Sequence, residues 1–351
     1  MRVADNAPLA PLTTLRLGGN AARLVTAERE VAVVEVVREI DSRGEPLLVL
    51  GGGSNIVVSD AGFDGTVLRM GTHGRSMSIE DDRVHVTVQA GERWDLFVES
   101  VVDEGLAGVE CLAGIPGLVG AVPMQNVGAY GQDVSETIVR LRAYDRQLRS
   151  VVEIDRQACG FGYRSSMFRG KDRHVILDVT FALERTRESR PIKYAELARA
   201  LDVAEGDRAT LATVRSTVVE LRRKKGMVLD PSDLDTTSAG SFFTNPILSA
   251  EALSALRDRA HGEGTVPVFP DADGRFKVSA AWLIERAGFP KGFVGDGERV
   301  AVSTKHALAL VNRGGATTEE LVALARRIRD GVRTRFGVTL ENEPVFVGVR
   351  L

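Results

Sequence analysis

The chain has 351 residues, of which 44% are hydrophobic and 26% are charged, and its formal net charge is −3. This length exceeds the usual size of one hydrophobic core and predicts two or three domains of ordinary globular composition. A net negative charge argues against a nucleic-acid-binding protein, which needs an excess of basic residues. The two cysteines, Cys111 and Cys159, are too few for a disulfide framework or a cysteine-rich metal site.

The amino-terminal residues 1–19 lack the basic and then apolar order of a signal peptide. No uninterrupted apolar run reaches the length that a membrane-spanning helix needs. A low cysteine content also fits a reducing compartment. We therefore expect a cytoplasmic protein with neither a nucleic-acid partner nor a membrane partner.

The first elements predict a small βαβ unit. Residues 22–26 and 46–50 are strand-like, and apolar residues recur at helical spacing between 28 and 40. The second strand runs directly into Gly51, Gly52 and Gly53, within the segment PLLVLGGGSNIVVSD. Such glycines let consecutive N–H groups converge on an anion, although a plain hairpin turn is the alternative. Neither the G-x-G-x-x-G fingerprint nor a Walker lysine is present.

A second glycine-rich segment, CLAGIPGLVGAVPMQNVGAY at 111–130, carries no charge and is interrupted too often for a helix. Gly114, Gly117 and Gly120 recur every third residue, and the surrounding N–H groups need acceptors. A tight loop packed on its own protein is one interpretation, and a bound phosphate or cofactor is the other. Two such loops in one half of the chain favour a phosphate-bearing cofactor.

Farther along, residues 83–90 and 175–182 are strand candidates, and 94–104 is helical, so the middle region is α+β. A basic and then polar stretch, 222–241, predicts a boundary near Lys225.

Beyond that boundary we expect helices to dominate. Residues 249–261 and 279–287 begin with serine caps, and Thr317 with Glu320 forms a capping box at the start of a third helix. The extended residues between 338 and 351 need a sheet to join.

Three polar residues stand out as candidates for chemistry. Ser241 lies in SAGSFFTNP between glycine and two phenylalanines, which is no nucleophile elbow and equally suits a turn or cap hydroxyl. Arg164 in YRSSMF suits a carboxylate or phosphate, although most arginines form surface ion pairs. Glu341 and Glu343 share one face of a regular strand, and the pattern does not choose between them.

Six segments together resemble one family. They are TTLRLGGNA at 13–21, LGGGSN at 50–55, GIPGLVGAVPMQNVGAYG at 114–131, YRSSMF at 163–168, AGSFFTNP at 239–246 and LENEPVFVG at 340–348. In this order they resemble the UDP-N-acetylenolpyruvoylglucosamine reductases (UDP-N-acetylmuramate dehydrogenases), flavoenzymes of bacterial cell-wall synthesis. The likeness runs from about Thr13 to the carboxyl terminus.

The resemblance implies an α+β fold. It consists of an FAD-binding fold of the vanillyl-alcohol-oxidase (PCMH) type in two subdomains, followed by a C-terminal α/β substrate-binding domain. We expect residues 1–72 and 338–351 to form the first FAD-binding subdomain, 73–224 the second and 225–337 the substrate-binding domain. The last strand of the family returns to the first subdomain.

The resemblance also implies the reaction, in which NADPH reduces FAD and the reduced flavin passes a hydride to the enol methylene carbon of UDP-N-acetylglucosamine enolpyruvate. Arg164, Ser241 and Glu343 match the family's catalytic set, with Ser241 as the proton donor. This match selects Glu343 over Glu341. Ser54 stands where some relatives of the wider fold carry a histidine bonded to the flavin, so noncovalent FAD is expected. No metal is implied, and we expect a monomer that binds a small-molecule substrate.

The resemblance implies two sets of binding residues. The cofactor set is Gly51, Gly52, Gly53, Ser54, Asn55, Ile115, Pro116, Gly117, Gly120, Ala121, Gln125, Asn126, Gly128, Ala129 and Tyr130. The substrate set is Tyr194, Lys225, Asn245, Lys277 and Arg286, with Tyr194 marking the family's tyrosine-loop type.

The chain departs from the family at Lys225, followed by Gly-Met in place of Leu-Pro, and at Arg286, where glutamine is often found. Lys305 and His306 are further candidates for the phosphate end. Another flavin oxidoreductase of the same superfold and a noncatalytic nucleotide-sugar-binding module are the alternative functions.

Overall fold

The computed structural model describes residues 1–271 and 273–351 in full. The β-strands are β1 (Arg2–Pro8), β2 (Asn20–Ala27), β3 (Leu47–Leu50), β4 (Ile56–Val58), β5 (Phe63–Met70), β6 (Arg75–Glu80), β7 (Arg83–Gln89), β8 (Leu106–Ala107), β9 (Gly128–Ala129), β10 (Gln132–Asp133), β11 (Ile138–Asp145), β12 (Ser150–Asp155), β13 (His174–Arg185), β14 (Ser238–Ser241), β15 (Ile247–Leu248), β16 (Val268–Pro270), β17 (Phe276–Val278), β18 (Val300–Val302), β19 (Ala309–Asn312) and β20 (Val345–Val347). The α-helices are α1 (Glu30–Arg43), α2 (Trp94–Asp103), α3 (Ala195–Leu201), α4 (Leu211–Lys224), α5 (Ala250–Arg259), α6 (Ala280–Arg286) and α7 (Thr318–Phe336).

The chain divides into two compact units. Unit 1 comprises Met1–Ala7, Ala21–Gly53 and Asp64–Lys224, and unit 2 comprises Pro8–Asn20, Ser54–Phe63 and Lys225–Leu351. Unit 2 therefore draws two short segments from the amino-terminal part of the chain. The assignment of three functional domains stays a prediction.

Unit 1 begins with a four-stranded sheet in the order β1-β2-β5-β3, in which β3 and β5 run parallel. Helix α1 lies between β2 and β3 in the sequence, as the βαβ pattern predicts, and buries the apolar face that contains Val33, Val37 and Ile40. Gly44 ends this helix in the left-handed conformation, at φ +65°. Strand β3 is an edge strand, and it leads directly into the first glycine loop.

A larger antiparallel sheet follows in the order β12-β11-β13-β7-β6. Its central strand β13 is buried at each residue from 175 to 183, which explains the apolar run in the sequence. Trp94 and Phe97 of α2 pack against Phe181, with ring centroids 5.1 to 5.8 Å apart. The strands and the helix predicted for this region are confirmed, whereas α3 and α4 were not predicted.

Unit 2 contains two three-stranded sheets, β14-β19-β18 and β15-β17-β16, together with α5, α6 and α7. The expected helices α5, α6 and α7 are the long elements beyond Lys225. The strands of these two sheets were not predicted, because they span only two to four residues and show no readable alternation. The predicted helices are correct. Ser249 and Ser279 cap α5 and α6, and the capping box of Thr317 and Glu320 opens α7.

The carboxyl-terminal strand β20 pairs with a strand from the amino-terminal part of the chain. Strand β20 pairs in parallel with β4, with Val345 opposite Ile56 and Val347 opposite Val58. The core of unit 2 gathers residues of α7, such as Ile328 and Phe336, around this region. No helix in the described residues combines the length and apolar character needed to cross a bilayer.

Candidate active site

The two glycine-rich loops of unit 1 meet backbone to backbone. A Cβ placed on Gly52 would lie 2.7 Å from the Cα of Gly117, so only glycine fits at Gly52. Gly117 has φ +128°, which disfavours any side chain there. A Cβ on Gly120 would lie 2.6 Å from the Cβ of Ala90. The spacing of these glycines therefore reflects close packing of the protein on itself.

The backbone N–H groups of the second loop differ from the sequence-based expectation. Gly114 N–H donates to Asp95 Oδ1 at 2.5 Å, and Gly120 N–H donates to the Ala90 carbonyl at 2.9 Å. Gly117 accepts from the N–H of Trp94 at 3.1 Å. Of the two interpretations of this segment, Gly114 and Gly120 follow the one in which the loop packs on its own protein, because segments distant in sequence supply their acceptors.

The first loop is different. Among the hydrogen bonds of the described residues, none has the N–H of Gly51 or Gly52 as donor. Both residues follow the end of edge strand β3, and Gly52 is exposed. Adjacent N–H groups that lack a protein acceptor suit an anion, so this loop fits the diphosphate of FAD.

Arg164 lies in a strained turn of unit 1. It has φ +48°, a left-handed conformation that is uncommon for residues other than glycine. Its Nη2 donates to the carbonyl of Gly128 at 2.8 Å, which joins the guanidinium to the second loop. Arg169 Nη1 donates to the Arg164 carbonyl at 2.6 Å, and Asn126 Nδ2 donates to the Gly162 carbonyl at 3.1 Å. These bonds hold the turn that presents Arg164.

Unit 2 brings Ser241 and Glu343 onto neighbouring segments. Phe242 and Phe243 are fully buried, while Ser241 keeps partial exposure. The Glu343 N–H donates to the Phe242 carbonyl at 2.9 Å, and Asn55 Nδ2 lies 3.5 Å from the Glu343 carbonyl. Glu341 is exposed, whereas Glu343 is half-buried.

His306, a candidate for the phosphate end in the sequence, contacts Ser241, and the sequence did not predict that contact. Its Nε2 lies 3.4 Å from Ser241 Oγ. The Ser303 hydroxyl accepts from the backbone N–H groups of Lys305 and His306, at 3.0 and 3.2 Å. Lys305 Nζ contacts Asp233 Oδ2 at 2.5 Å, and this hydrogen bond raises the lysine pKa. The turn that carries His306 is therefore fixed on both sides.

Tyr194 lies beside the second loop of unit 1. Its ring contacts Tyr130 edge to face, with centroids 5.4 Å apart, and 43% of the residue is exposed. Burial raises the pKa of Tyr130 to about 12. Desolvation lowers the pKa of Arg222 to about 10, even though the residue keeps some exposed surface, and Tyr130 and Asp95 oppose this shift. In the sequence Arg222 is one of several consecutive basic residues, and nothing there distinguishes it from its neighbours.

The remaining substrate-binding candidates are spread over unit 2. Asn245 Oδ1 accepts from the Ala280 N–H at 2.9 Å, at the start of α6. Lys277 lies on the central strand β17 opposite Ile247. Arg286 is exposed in the last turn of α6, so the helix separates it from Asn245. Lys225 is half-buried at the beginning of the third segment of unit 2.

Comparison with known proteins identifies the family. The family model described as UDP-N-acetylenolpyruvoylglucosamine reductase, C-terminal domain, matches residues 230–347, and one described as FAD binding domain matches 21–149. The reductase of that name from Thermobifida fusca is 57% identical over 353 residues, covering 99% of each chain. The chain belongs to the UDP-N-acetylenolpyruvoylglucosamine reductase family.

A second relative supports the family assignment, and two solved structures support the fold. The Streptomyces avermitilis reductase is 54% identical over 352 residues, covering 99% of this chain and 95% of that protein. The crystal structure of the Thermus caldophilus reductase covers 99% of both chains with a TM-score of 0.68 at 24% identity. A solvent-stable cholesterol oxidase shares the fold at a TM-score of 0.50, with 12% identity, 97% of this chain covered and 86% of that one. The predicted family and fold class are confirmed.

The two family models cover the two groups of candidate residues separately. Both glycine loops lie within the match to the FAD binding domain, and Ser241 and Glu343 lie within the match to the reductase C-terminal domain. Arg164 falls in neither match. Its place in the site therefore depends on the YRSSMF motif and on the hydrogen bond to Gly128.

Proposed function

We propose that this chain uses NADPH and FAD to reduce UDP-N-acetylglucosamine enolpyruvate to UDP-N-acetylmuramate, in the synthesis of peptidoglycan precursors. The observation that carries the proposal is the arrangement of Ser241, His306 and Glu343 in unit 2. A half-buried hydroxyl lies 3.4 Å from an imidazole nitrogen, and the segment that bears a carboxylate is hydrogen-bonded to the next residue of the serine loop. That set supplies a proton donor beside groups able to stabilise charge.

The residues of unit 1 fit the cofactor. The N–H groups of Gly51 and Gly52 suit the FAD diphosphate, and the uncharged segment from Ile115 to Tyr130 supplies a surface free of competing charge. Ser54 cannot form the histidine linkage, so FAD is held noncovalently. When bound and reduced by NADPH, FAD supplies the hydride for the methylene carbon of the enolpyruvyl ether.

Ser241 supplies the proton. Addition of hydride to the methylene carbon leaves negative charge on the adjacent carbon, which is basic enough to take a proton from a positioned hydroxyl. His306 Nε2 contacts Ser241 Oγ at 3.4 Å and orients the hydroxyl or returns its proton. General acid catalysis of this kind contributes roughly 10²- to 10⁴-fold in rate.

Arg164 and Glu343 stabilise the charge that spreads into the substrate carboxylate. The left-handed turn and the bond to Gly128 present the Arg164 guanidinium, a fixed fork of donors that matches a carboxylate. The Glu343 side chain takes part when it carries a proton or is bridged by a hydrogen bond, because an ionised carboxylate only accepts. Preorganised groups stabilise charge most effectively where water is excluded.

We assign substrate binding to Tyr194, Lys225, Asn245, Lys277 and Arg286. The side-chain oxygen Oδ1 of Asn245 already accepts from the first N–H of α6, so the side-chain NH₂ group is the part that binds the ligand. The exposed Tyr194 is the residue of the tyrosine-loop type. We further propose a cytoplasmic monomer with FAD-binding subdomains at 1–72 with 338–351 and at 73–224, and a substrate-binding domain at 225–337.

Replacement of Ser241 by alanine tests the proposal. Ser241→Ala is expected to retain flavin reduction by NADPH and to slow flavin reoxidation by the enol ether by at least 10²-fold, as expected for a lost general acid. The Thr244→Ala variant, a neighbouring hydroxyl in the same loop, is the matched control and keeps both rates. Equal slowing of both half-reactions by Ser241→Ala would refute the assignment.

A further inference from the structure

A fully buried carboxylate, Glu110, lies beneath the second glycine loop. It is 0% exposed and accepts three hydrogen bonds, from Gly108 N–H at 2.7 Å, Gln132 Nε2 at 2.9 Å and Arg190 N–H at 3.1 Å. In the described part of the chain no lysine or arginine side chain forms an ion pair with it. Three neutral donors therefore hold this side chain, and the loss of any of them would leave a buried polar oxygen short of a partner, which is costly.

Gln132 connects Glu110 to both ends of the loop. Its Oε1 accepts from the Cys111 N–H at 2.9 Å, at the point where the loop begins. Gln132 itself pairs with Ala129 in the β9–β10 hairpin, whose turn contains Tyr130. The entry and the exit of the cofactor loop are thus fixed to one carboxylate.

Arg190 connects the same carboxylate to the segment that bears Tyr194. This segment crosses the turn of the hairpin, because a Cβ on Gly131 would lie only 3.1 Å from the Cβ of Lys193. Tyr194 then contacts Tyr130 at a centroid distance of 5.4 Å. Glu110 is therefore the buried group that ties this segment to the loop, alongside the ion pairs of the Arg190 side chain with Glu136 and Glu184.

We propose that Glu110 is a positioning residue that sets the place of the Tyr194 segment against the cofactor loop. The inference builds on the proposed function, in which Tyr194 binds the substrate. An ionised carboxyl group accepts hydrogen bonds at both oxygens, whereas a glutamine side chain places an NH₂ group at one of them. Gly108 bonds to one carboxylate oxygen, and Gln132 and Arg190 share the other. Glu110→Gln therefore sets a donor either against Gly108 or against Gln132 and Arg190 together, and it releases one or two of the three connections.

The test compares three variants loaded with FAD. Glu110→Gln is expected to raise the KM for the enol ether about tenfold, to leave flavin reduction by NADPH within twofold, and to increase amide hydrogen exchange in residues 108–111 and 189–194. The double variant Glu110→Gln with Gln132→Glu restores the pair with its donor and acceptor exchanged, because the new carboxylate accepts from the new amide and from Cys111. It is expected to recover protection at Cys111 but only part of the lost KM, because the Arg190 N–H bonds to the same oxygen as Gln132 Nε2 and then faces the new amide NH₂.

Gln132→Met serves if Glu110→Gln does not fold, because it removes both bonds of Gln132 and leaves Glu110 two donors. It is expected to deprotect Cys111 and to raise KM. An unchanged KM together with unchanged amide hydrogen exchange would overturn the inference. It would also be overturned by an unchanged KM together with a lowered thermal stability and uniform loss of protection throughout unit 1. Exchange is measured without substrate, so it still reports on Glu110 if the parent enzyme fails to turn over the enol ether and the proposed function falls.

Discussion

Gly52→Ala is expected to weaken FAD binding because it forces apart the two loops to which we assign the cofactor. The added Cβ would lie 2.7 Å from the Gly117 Cα and 3.3 Å from its carbonyl carbon, and neither backbone atom can move as a side chain end would. Overpacking of this kind costs about 1 to 3 kcal/mol. If that cost falls on the cofactor-binding arrangement, the Kd for FAD rises roughly 5- to 150-fold, since about 1.4 kcal/mol is a factor of ten.

The matched control is Gly51→Ala, one residue earlier in the same loop. Its Cβ would meet its nearest neighbours, Ala121 Cβ and Leu118, at 3.7 and 3.9 Å, which is ordinary contact. Titration of the apoprotein with FAD, followed by flavin fluorescence, measures Kd for both variants. Equal Kd values for Gly52→Ala and the parent, or an equal loss in both variants, would refute the claim that the approach of Gly52 to Gly117 shapes the cofactor site.

Two further predictions concern His306 and Asp145. His306→Ala is expected to slow reoxidation of the flavin by the enol ether at least tenfold in a single-turnover measurement. His306→Gln keeps a polar group near the Nε2 position and is expected to retain more activity. Equal rates in the two variants would contradict a role through the 3.4 Å contact with Ser241. The Arg173 hydrogen bond lowers the pKa of Asp145, so the stability that this carboxylate contributes is complete above about pH 5. It is lost progressively as the pH falls below about 4 toward the lowered pKa of the folded state. Urea unfolding at pH 5 and pH 3 is expected to show a smaller decrease in the free energy of unfolding for Arg173→Leu than for the parent. An equal decrease in both proteins would contradict a contribution of the Arg173–Asp145 pair.

The local elements of the fold were predictable because their signals are local. The helical spacing that gives α1, the serine caps of α5 and α6, and the capping box of α7 all depend on residues within a few positions of one another. The strands between 238 and 312 were missed because they are too short to show a period. The partner of the carboxyl-terminal strand became predictable only through the family resemblance.

The contacts of the site were less predictable, because they join residues far apart in the sequence. His306 lies 65 positions from Ser241, and nothing in its neighbourhood marks it as the partner of a serine. Glu110 stands in an apolar segment, where only the fold shows that its three donors come from separate segments. The spacing of Gly114 and Gly120 left a bound ligand and a self-packed loop open, and only the fold shows that distant protein atoms accept from those N–H groups.

The most direct test of the proposed function follows the oxidised-flavin absorbance of the purified, FAD-loaded chain without oxygen, adding NADPH first and the UDP-N-acetylglucosamine enolpyruvyl ether second. The account predicts bleaching by NADPH and recovery only after the enol ether is added, with UDP-N-acetylmuramate as the product. Bleaching without recovery would contradict the assigned substrate, and failure of the reconstituted protein to hold FAD would contradict the assignment of the glycine loops.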